Sequence, residues 1–477
     1  MHDHIESRSV ATNKEPFIFE LALNRNCDDL LYRQICQRFR EAITNGSYPP
    51  GTRVPSIRTL AAQLNISRNT VEIAYDQLIG EGYFVANGQA GTSVSGTLIR
   101  SPRYLPPPTD KSAPARPLPF QIGIPALDAF PTKLWGSLNQ KHWKNHLEID
   151  LASTGTLGHE PLREAIAAYL NISRGINCSS SQIIITSGYR QSLHLLMTGL
   201  LKRGDSVWTE DPCYPPASLL LAQHGLHQCP LPVDAEGLIV AEGLMQAPDA
   251  KLALVTPANQ NPLGMVLSMR RKTELLEWAH REQSWIIEDD YDSEYCFDGR
   301  MASTVSSLDR NGRTFYMGTF SKTMFPALRL AYVVVPLEQI KRFTVLSTQV
   351  MDGCTPHSQK ALADMMVGGH FARHVKKMRT LYNVRRQAMV QELKSGLGDK
   401  LNLSHTSRGL CLLAHLNEGV SDALLAERAA QRGLAVGALS PRVTRYDYGQ
   451  GLLLGFANFN TDKELKHAVQ MLGACFI

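Results

Sequence analysis

Residues 314–332 read Thr-Phe-Tyr-Met-Gly-Thr-Phe-Ser-Lys-Thr-Met-Phe-Pro-Ala-Leu-Arg-Leu-Ala-Tyr. The apolar run Phe315-Tyr316-Met317 breaks at Gly318 into small hydroxylated residues. Lys322 follows, and Arg329 stands seven positions further on. This is the pattern of a lysine held beside a phosphate site, with Thr319 and Ser321 as hydroxyl donors and Arg329 as a planar fork for phosphate oxygens. Taken alone, such a Ser-Lys pair more often belongs to a solvated surface loop.

A second stretch shifts that balance. Residues 285–295, Trp-Ile-Ile-Glu-Asp-Asp-Tyr-Asp-Ser-Glu-Tyr, run from a buried-type strand into a cluster of acids. Strand ends of open α/β sheets are where ligands bind. A pyridoxal phosphate site needs an amine, a carboxylate for the pyridine nitrogen, donors for the ring hydroxyl, a flat stacking partner and a phosphate cup. The chain offers each. Residues 182–191 (Gln-Ile-Ile-Ile-Thr-Ser-Gly-Tyr-Arg-Gln) read as strand, glycine turn and helix start, whose N–H groups suit a phosphate. Tyr214 follows Asp211-Pro212-Cys213, and Asn261 sits in the loop Pro257–Gly264.

On these motifs, residues 118–477 resemble a fold-type I, class I aminotransferase domain, and the whole chain resembles the MocR-type subgroup of the GntR transcription regulators. The resemblance implies Lys322 as the lysine that carries the cofactor and Asp289 as the partner of the pyridine nitrogen. It places Tyr291 and Asn261 at the ring hydroxyl and Tyr214 on the ring face. Ser187, Gly188, Tyr189, Thr319, Ser321 and Arg329 would hold the phosphate. The residues alone do not separate Asp289 from Asp290. The resemblance selects Asp289, and its neighbour should point to the other face of the strand.

Composition fits an ordinary folded protein. The 477 residues are 43% apolar and 19% charged, with a net charge of +5, and suffice for two or three domains. No run approaches the roughly 20 apolar residues of a membrane span. The N-terminus lacks the apolar core of a signal peptide. Nine scattered cysteines without a CxxC pair argue against a disulfide framework or a zinc site, and for core thiols of a cytoplasmic protein.

Residues 20–95 read as a DNA-binding domain. Leu31, Ile35, Phe39, Ala42 and Ile43 keep helical spacing before the stop at Gly46. A second helix runs from Ser56 to Asn65. Ser67 caps a third, whose Val71, Ala74, Tyr75 and Leu78 face inward. Gly82–Val85 and Thr92–Val94 then form a two-stranded wing. The sum is a winged helix-turn-helix, with a three-helix interaction module as the alternative. In that fold the first turn of the third helix, Ser67-Arg68-Asn69-Thr70, enters the major groove, where Arg68 and Asn69 suit base edges. Ser56, Arg58 and Thr70 would reach phosphates, as would Thr92 at the wing. Stretches 31–35, 55–61, 67–71 and 74–78 carry the GntR resemblance. Electrostatics adds little: residues 1–95 hold nine Lys/Arg and ten Asp/Glu, although the Arg53–Thr70 stretch carries three arginines and no acid.

Residues 1–19 read as a leader, and residues 96–118, with Pro102, Pro106, Pro107, Pro108, Pro114 and Pro117, as a semi-extended linker. From residue 119 to 477, strand runs (183–186, 206–209, 252–256, 285–288, 314–317, 332–335) alternate with helices. This predicts a largely parallel sheet with helices on both faces and a smaller α+β subdomain over roughly 365–477. The basic run within helix 371–393 (Arg373, Lys376, Lys377, Arg379, Arg385, Arg386) reads as a solvated or inter-subunit face.

Two functions stand open: a regulator that senses pyridoxal phosphate or its adduct with an amine, and a working aminotransferase. Three departures from the aminotransferase pattern bear on the choice. Leu453 stands where such enzymes carry the arginine for the substrate carboxylate. No tyrosine occupies 153–158 to serve a neighbouring subunit's phosphate. Pro216 replaces the arginine of a GABA-responsive relative. Arg408, Arg442 and Arg445 are the candidate substitutes. The expected partners are an operator in double-stranded DNA, a small-molecule effector and a second copy of the chain. No metal is expected.

Overall fold

The computed structural model describes residues 23–25, 29–96, 116–152, 155–299, 302–404 and 407–476. The leader 1–19 and most of the 96–118 linker lie outside them. The chain divides into two compact units, Met1–Ala113 and Pro114–Ile477.

In the first unit, helices α1 (Leu31–Thr44), α2 (Ile57–Leu64) and α3 (Arg68–Gly80) precede an antiparallel hairpin of β1 (Phe84–Ala86) and β2 (Thr92–Val94). Asn65, left-handed at φ 49°, ends α2. Ser56 and Ser67 start α2 and α3 by accepting the N–H groups of Thr59 and Thr70, each at 3.1 Å. Such caps satisfy donors that a helix start otherwise leaves open, worth about 1 kcal/mol each. All four residues expected on the inner face of α3 are buried, together with Ile35, Phe39 and Ala42 of α1. Leu31 and Ile43 are only half-buried, and Cys36 takes an inner place instead. The Phe39 ring binds the unit together, lying edge-on to Tyr48, Tyr75 and Phe84 at 5.9, 5.9 and 5.1 Å.

The second unit is built on an eight-stranded sheet. Its strands are β3 (Ile183–Thr186), β4 (Ser206–Asp211), β5 (His227–Asp234), β6 (Gly237–Leu238), β7 (Leu252–Val255), β8 (Trp285–Asp290), β9 (Thr314–Thr319) and β10 (Ala331–Val334). They lie in the order β3-β10-β9-β8-β7-β4-β5-β6. Strands β9, β8, β7, β4 and β5 run parallel. Strand β10 is antiparallel to both its neighbours, because a short connection returns it directly beside β9. Near-continuous apolar runs such as Ile183-Ile184-Ile185 are buried throughout, as strands covered on both faces require. Gly318 sits opposite Tyr332 in the β9–β10 register, and a Cβ there would fall 2.2 Å from the tyrosine ring, so only glycine fits.

The C-terminal subdomain adds an antiparallel sheet, β11 (Leu401–Leu403), β12 (Cys411–Leu416), β13 (Gly437–Ala438) and β14 (Gly451–Gly455), in the order β11-β12-β14-β13. Helix His370–Leu397 packs beside it. Its core also takes Phe120, Ala126 and Tyr295, all from outside residues 365–477. Phe120 bridges Gly455, whose N–H donates to the Phe120 carbonyl at 2.9 Å. The basic helix is less solvated than its sequence suggests. Arg385 pairs with Asp128 at 2.7 Å, and Arg379 donates to the Glu294 carbonyl at 2.9 Å.

Adjacent aspartates on β8 part company as the pleat demands. Asp290 accepts from Arg174 at 3.1 Å and from the Tyr316 hydroxyl at 2.6 Å, while Arg174 also reaches Glu294 at 3.2 Å. Both Arg174 and Asp290 are buried. Removing one partner strands a buried charge, so Asp290→Ala should destabilise the protein by about 3–5 kcal/mol in denaturant unfolding. A loss below about 1 kcal/mol would contradict this account of the network.

Candidate cofactor pocket and DNA-reading surface

A cavity of about 460 Å³ opens at the ends of β8 and β9, roofed by the C-terminal subdomain. Lys322 lies in the loop between β9 and β10. Its half-buried amine donates to the Gly123 carbonyl at 2.6 Å, and Tyr295 donates to the Lys322 carbonyl at 3.1 Å. Burial pulls the amine below the ordinary lysine range, against Asp292 and Asp289, which hold it up. Asp289 lines the same cavity. Burial, then the negative charge of Asp290, Glu210 and Asp292, pushes its carboxyl well above the usual carboxylate range, and Tyr189 hydrogen-bonds it. Its ionised form needs a cation close by.

Around these two groups, the Tyr291 hydroxyl donates to the Asn259 carbonyl and accepts from the Asn259 amide, both at 3.0 Å. The same amide donates to Asp292 at 2.9 Å. Asn261 lines the cavity, and its Oδ1 is buried without a partner among the described residues. Tyr214 stands at the wall with Tyr189 edge-on at 5.4 Å, and the guanidiniums of Arg190, Arg442 and Arg329 all act on its phenol. The Thr319 and Ser321 hydroxyls are 3.0 Å apart. Arg329 lies against Gly188, where a Cβ would stand 2.9 Å from its guanidinium. Gly188, at φ 104°, therefore leaves the space that the arginine fills.

Of the residues singled out from sequence, Lys322, Asp289, Tyr291, Asn261, Tyr214, Tyr189, Thr319, Ser321 and Arg329 line one cavity. Ser187 and Gly188 are not on its wall. They form the turn into helix Tyr189–Leu200, and the Ser187 N–H is taken by Gln191 at 2.6 Å. Asn259, Asp292 and Arg190 line the cavity unannounced, although Asn259 and Asp292 stand two and one residues from Asn261 and Tyr291. Among the substitute arginines, Arg408 and Arg442 line the cavity with Leu453. Arg445 turns away to Gln246 and the Tyr446 ring. Arg408 pairs with Asp298 at 3.5 Å, whereas the Arg442 guanidinium has no hydrogen bond or ion pair among the described residues.

These residues fit pyridoxal phosphate. A half-buried lysine amine, a buried carboxylate facing it, an amide oxygen buried without a partner among the described residues and an arginine seated over a glycine turn are the donor and acceptor set that the cofactor uses.

On the first unit, Arg68 and Asn69 are exposed at the start of α3, and Arg58 is exposed on α2. The hydroxyls of Ser56 and Ser67 are turned inward on their helix starts, 2.7 Å from those of Thr59 and Thr70. Ser67 is thus the N-cap its sequence announced, and Ser56 caps α2 in the same way, both residues remaining exposed with Thr70 half-buried. Thr92 begins β2 and is half-buried. Arg53, passed over in the sequence, lies against Gly91 at the wing, 3.2 Å from where a Cβ would be.

Burial raises the Asp292 carboxyl to about 7. The folded protein then holds a proton that the unfolded chain has released, from about pH 4 up to about pH 7. This part of the stability falls as pH rises through that window, by at most about 1.4 kcal/mol per unit. Cofactor-free Asp292→Asn should show a shallower decline of stability between those pH values, read from denaturant midpoints. An unchanged slope would contradict the assignment.

The fold and this geometry agree with comparisons to known proteins. Residues 140–467 match the family model "Aminotransferase class I and II", and residues 31–94 match "Bacterial regulatory proteins, gntR family". The chain is 33% identical over 476 residues to a probable rhizopine catabolism regulatory protein MocR of Rhizobium meliloti, covering 96% of each. It is 29% identical to the pyridoxine biosynthesis transcriptional regulator PdxR of Corynebacterium glutamicum, over 93% of this chain and 95% of that one. A Pyrococcus horikoshii kynurenine aminotransferase, solved with PMP, matches at a TM-score of 0.68 and 25% identity, covering 75% of this chain and 90% of its own. With a DNA-binding helix-turn-helix unit ahead of a pyridoxal-phosphate-type aminotransferase fold, the chain belongs to the MocR-type branch of the GntR family of bacterial transcription regulators.

Proposed function

We propose that this regulator holds pyridoxal phosphate in the cavity around Lys322 and reads a small amine bearing an acidic group through it. When bound, the cofactor supplies an aldehyde that condenses reversibly with primary amines. Lys322 provides the resident amine, and Asp289 keeps a proton on the pyridine nitrogen. Tyr291 and Asn261 orient the ring hydroxyl, Tyr214 covers the ring face, and Arg329 with Thr319 and Ser321 takes the phosphate.

The observation that carries the effector class is Arg442. Its guanidinium lines the cavity with Leu453, the position where aminotransferases place their carboxylate-binding arginine, and has no hydrogen bond or ion pair among the described residues. Arg442 is half-buried, and burial lowers the pKa of its guanidinium, so an incoming carboxylate gains a charge-assisted contact there. The aminotransferase reading loses weight on the same ground, since position 453 offers no such group.

Binding regulates DNA only if the effector prefers one of two arrangements of the regulator. The reading includes a homodimer that places two winged units over paired half-sites in the cytoplasm. It is supported by Trp143, Leu147, Ile149 and Leu151, large apolar side chains each more than half exposed within one nine-residue stretch at the end of helix Thr132–Lys144 and into helix Glu148–Ala152.

Two experiments test the reading. Protein purified with pyridoxal phosphate should absorb in the visible, and borohydride should fix a pyridoxyl group on it; Lys322→Ala should show neither after dialysis. A pyridoxyl group fixed in the variant at the same site would remove Lys322 from its role. On the DNA side, Arg68→Ala should weaken specific operator binding by about 1–3 kcal/mol in a titration at fixed salt. An unchanged footprint would remove Arg68 from base reading.

A further inference from the structure

The stretch Ser440–Tyr448 that brings Arg442 to the cavity belongs to the C-terminal subdomain, yet it is fastened to the end of β4. Asp211, the last residue of that strand and wholly buried, accepts three consecutive backbone N–H groups: Thr444 at 2.8 Å, Arg445 at 2.7 Å and Tyr446 at 2.9 Å. No lysine, arginine or histidine pairs with it among the described residues, so main-chain donors alone satisfy this carboxylate. Neutral contacts flank it. Gln246 donates to the Tyr446 hydroxyl at 2.9 Å, and the Tyr448 hydroxyl accepts from the Val233 N–H at 2.7 Å. Three residues beyond Asp211 stands Tyr214, on the cavity wall beside Arg442.

We propose that Asp211 is a positioning residue for effector recognition: by clasping residues 444–446 it holds the Arg442 guanidinium at the cavity and so sets the preference for amines that carry an acid group. The proposal rests on the reading of Arg442 given above. Asp211 touches neither cofactor nor effector. A carboxylate bound to three main-chain donors fixes a loop more firmly than side-chain packing does, and a guanidinium displaced by about 1 Å loses much of its bidentate contact.

The test uses the full-length protein loaded with pyridoxal phosphate and three probes: L-alanine, β-alanine and ethylamine, the last being both amino acids without their carboxylate. Half-saturation is read from the change in cofactor absorbance. The wild type should respond to at least one amino acid at a concentration at least about tenfold below that of ethylamine. Arg442→Gln and Asp211→Asn should each abolish the preference. The double variant should lose no more than either, and Asp211→Asn should keep its response to ethylamine and its affinity for pyridoxal phosphate. Asp211→Asn with the wild-type preference, alongside an Arg442→Gln that has lost it, would overturn the role of Asp211 alone. A wild type indifferent to the carboxylate would overturn the Arg442 reading, and this proposal with it. Hydrogen exchange of the wild type needs no variant to fold: the amides of residues 444–446 should be protected, and exchange at the rate of an open loop would overturn the clasp.

Discussion

The pleat of β8 is the constraint on which the pocket depends. Successive side chains leave a strand on opposite faces, so Asp289 enters the cavity while Asp290 enters the network of Arg174, Tyr316 and Glu294. A slip of one residue would exchange them, setting the network's carboxylate beside Lys322 and leaving Arg174 with the wrong partner. The network thus does more than bind a helix to the sheet. It makes the correct register the one in which a buried arginine is neutralised. On the neighbouring strand, Gly318 lies opposite Asp290 and beneath the Tyr332 ring, and without a Cβ it lets β9 and β10 close at the base of the Lys322 loop.

Most of this was legible where the physics is local. Continuous apolar runs located six strands of the large sheet within one or two residues, because double burial leaves no alternation to misread. Ser56 and Ser67 announced the starts of α2 and α3. The reversed direction of β10 was not legible, since an apolar strand carries no mark of which way its neighbours run. Nor was the place of Phe120, whose left-handed backbone and partner Gly455 are set by a contact across more than 300 residues.

The pocket divides along the same line. Lys322, Asp289 and Arg329 stand in short motifs whose chemistry is plain in the chain. Asn259 was masked by Asn261, because one loop offers two amides and only the folded backbone brings both to Tyr291. Of the basic residues of helix His370–Leu397, Arg373, Lys376 and Lys377 are exposed as their charge suggests, while Arg379, Arg385 and Arg386 are half-buried. Long stems let Arg379 and Arg385 reach groups of their own unit.

The division of the cavity between two subdomains bears on what kind of signal it can sense. Lys322, Asp289, Tyr291, Asn261 and Arg329 come from the large sheet and its loops, while Arg408, Leu410, Cys411, Arg442 and Leu453 come from the C-terminal subdomain. A ligand biases a conformational equilibrium only by interacting differently with its two states. A cofactor held by the first group alone has little purchase on how the second sits against it. An amine whose acid group reaches Arg442 contacts both, and its binding energy then depends on their relative placement. On the proposed reading, this asymmetry is what would make an acidic amine joined to the cofactor a stronger signal than the cofactor alone. It also gives Asp211, at the junction of the two groups, a position from which a single carboxylate can set how strongly they are coupled.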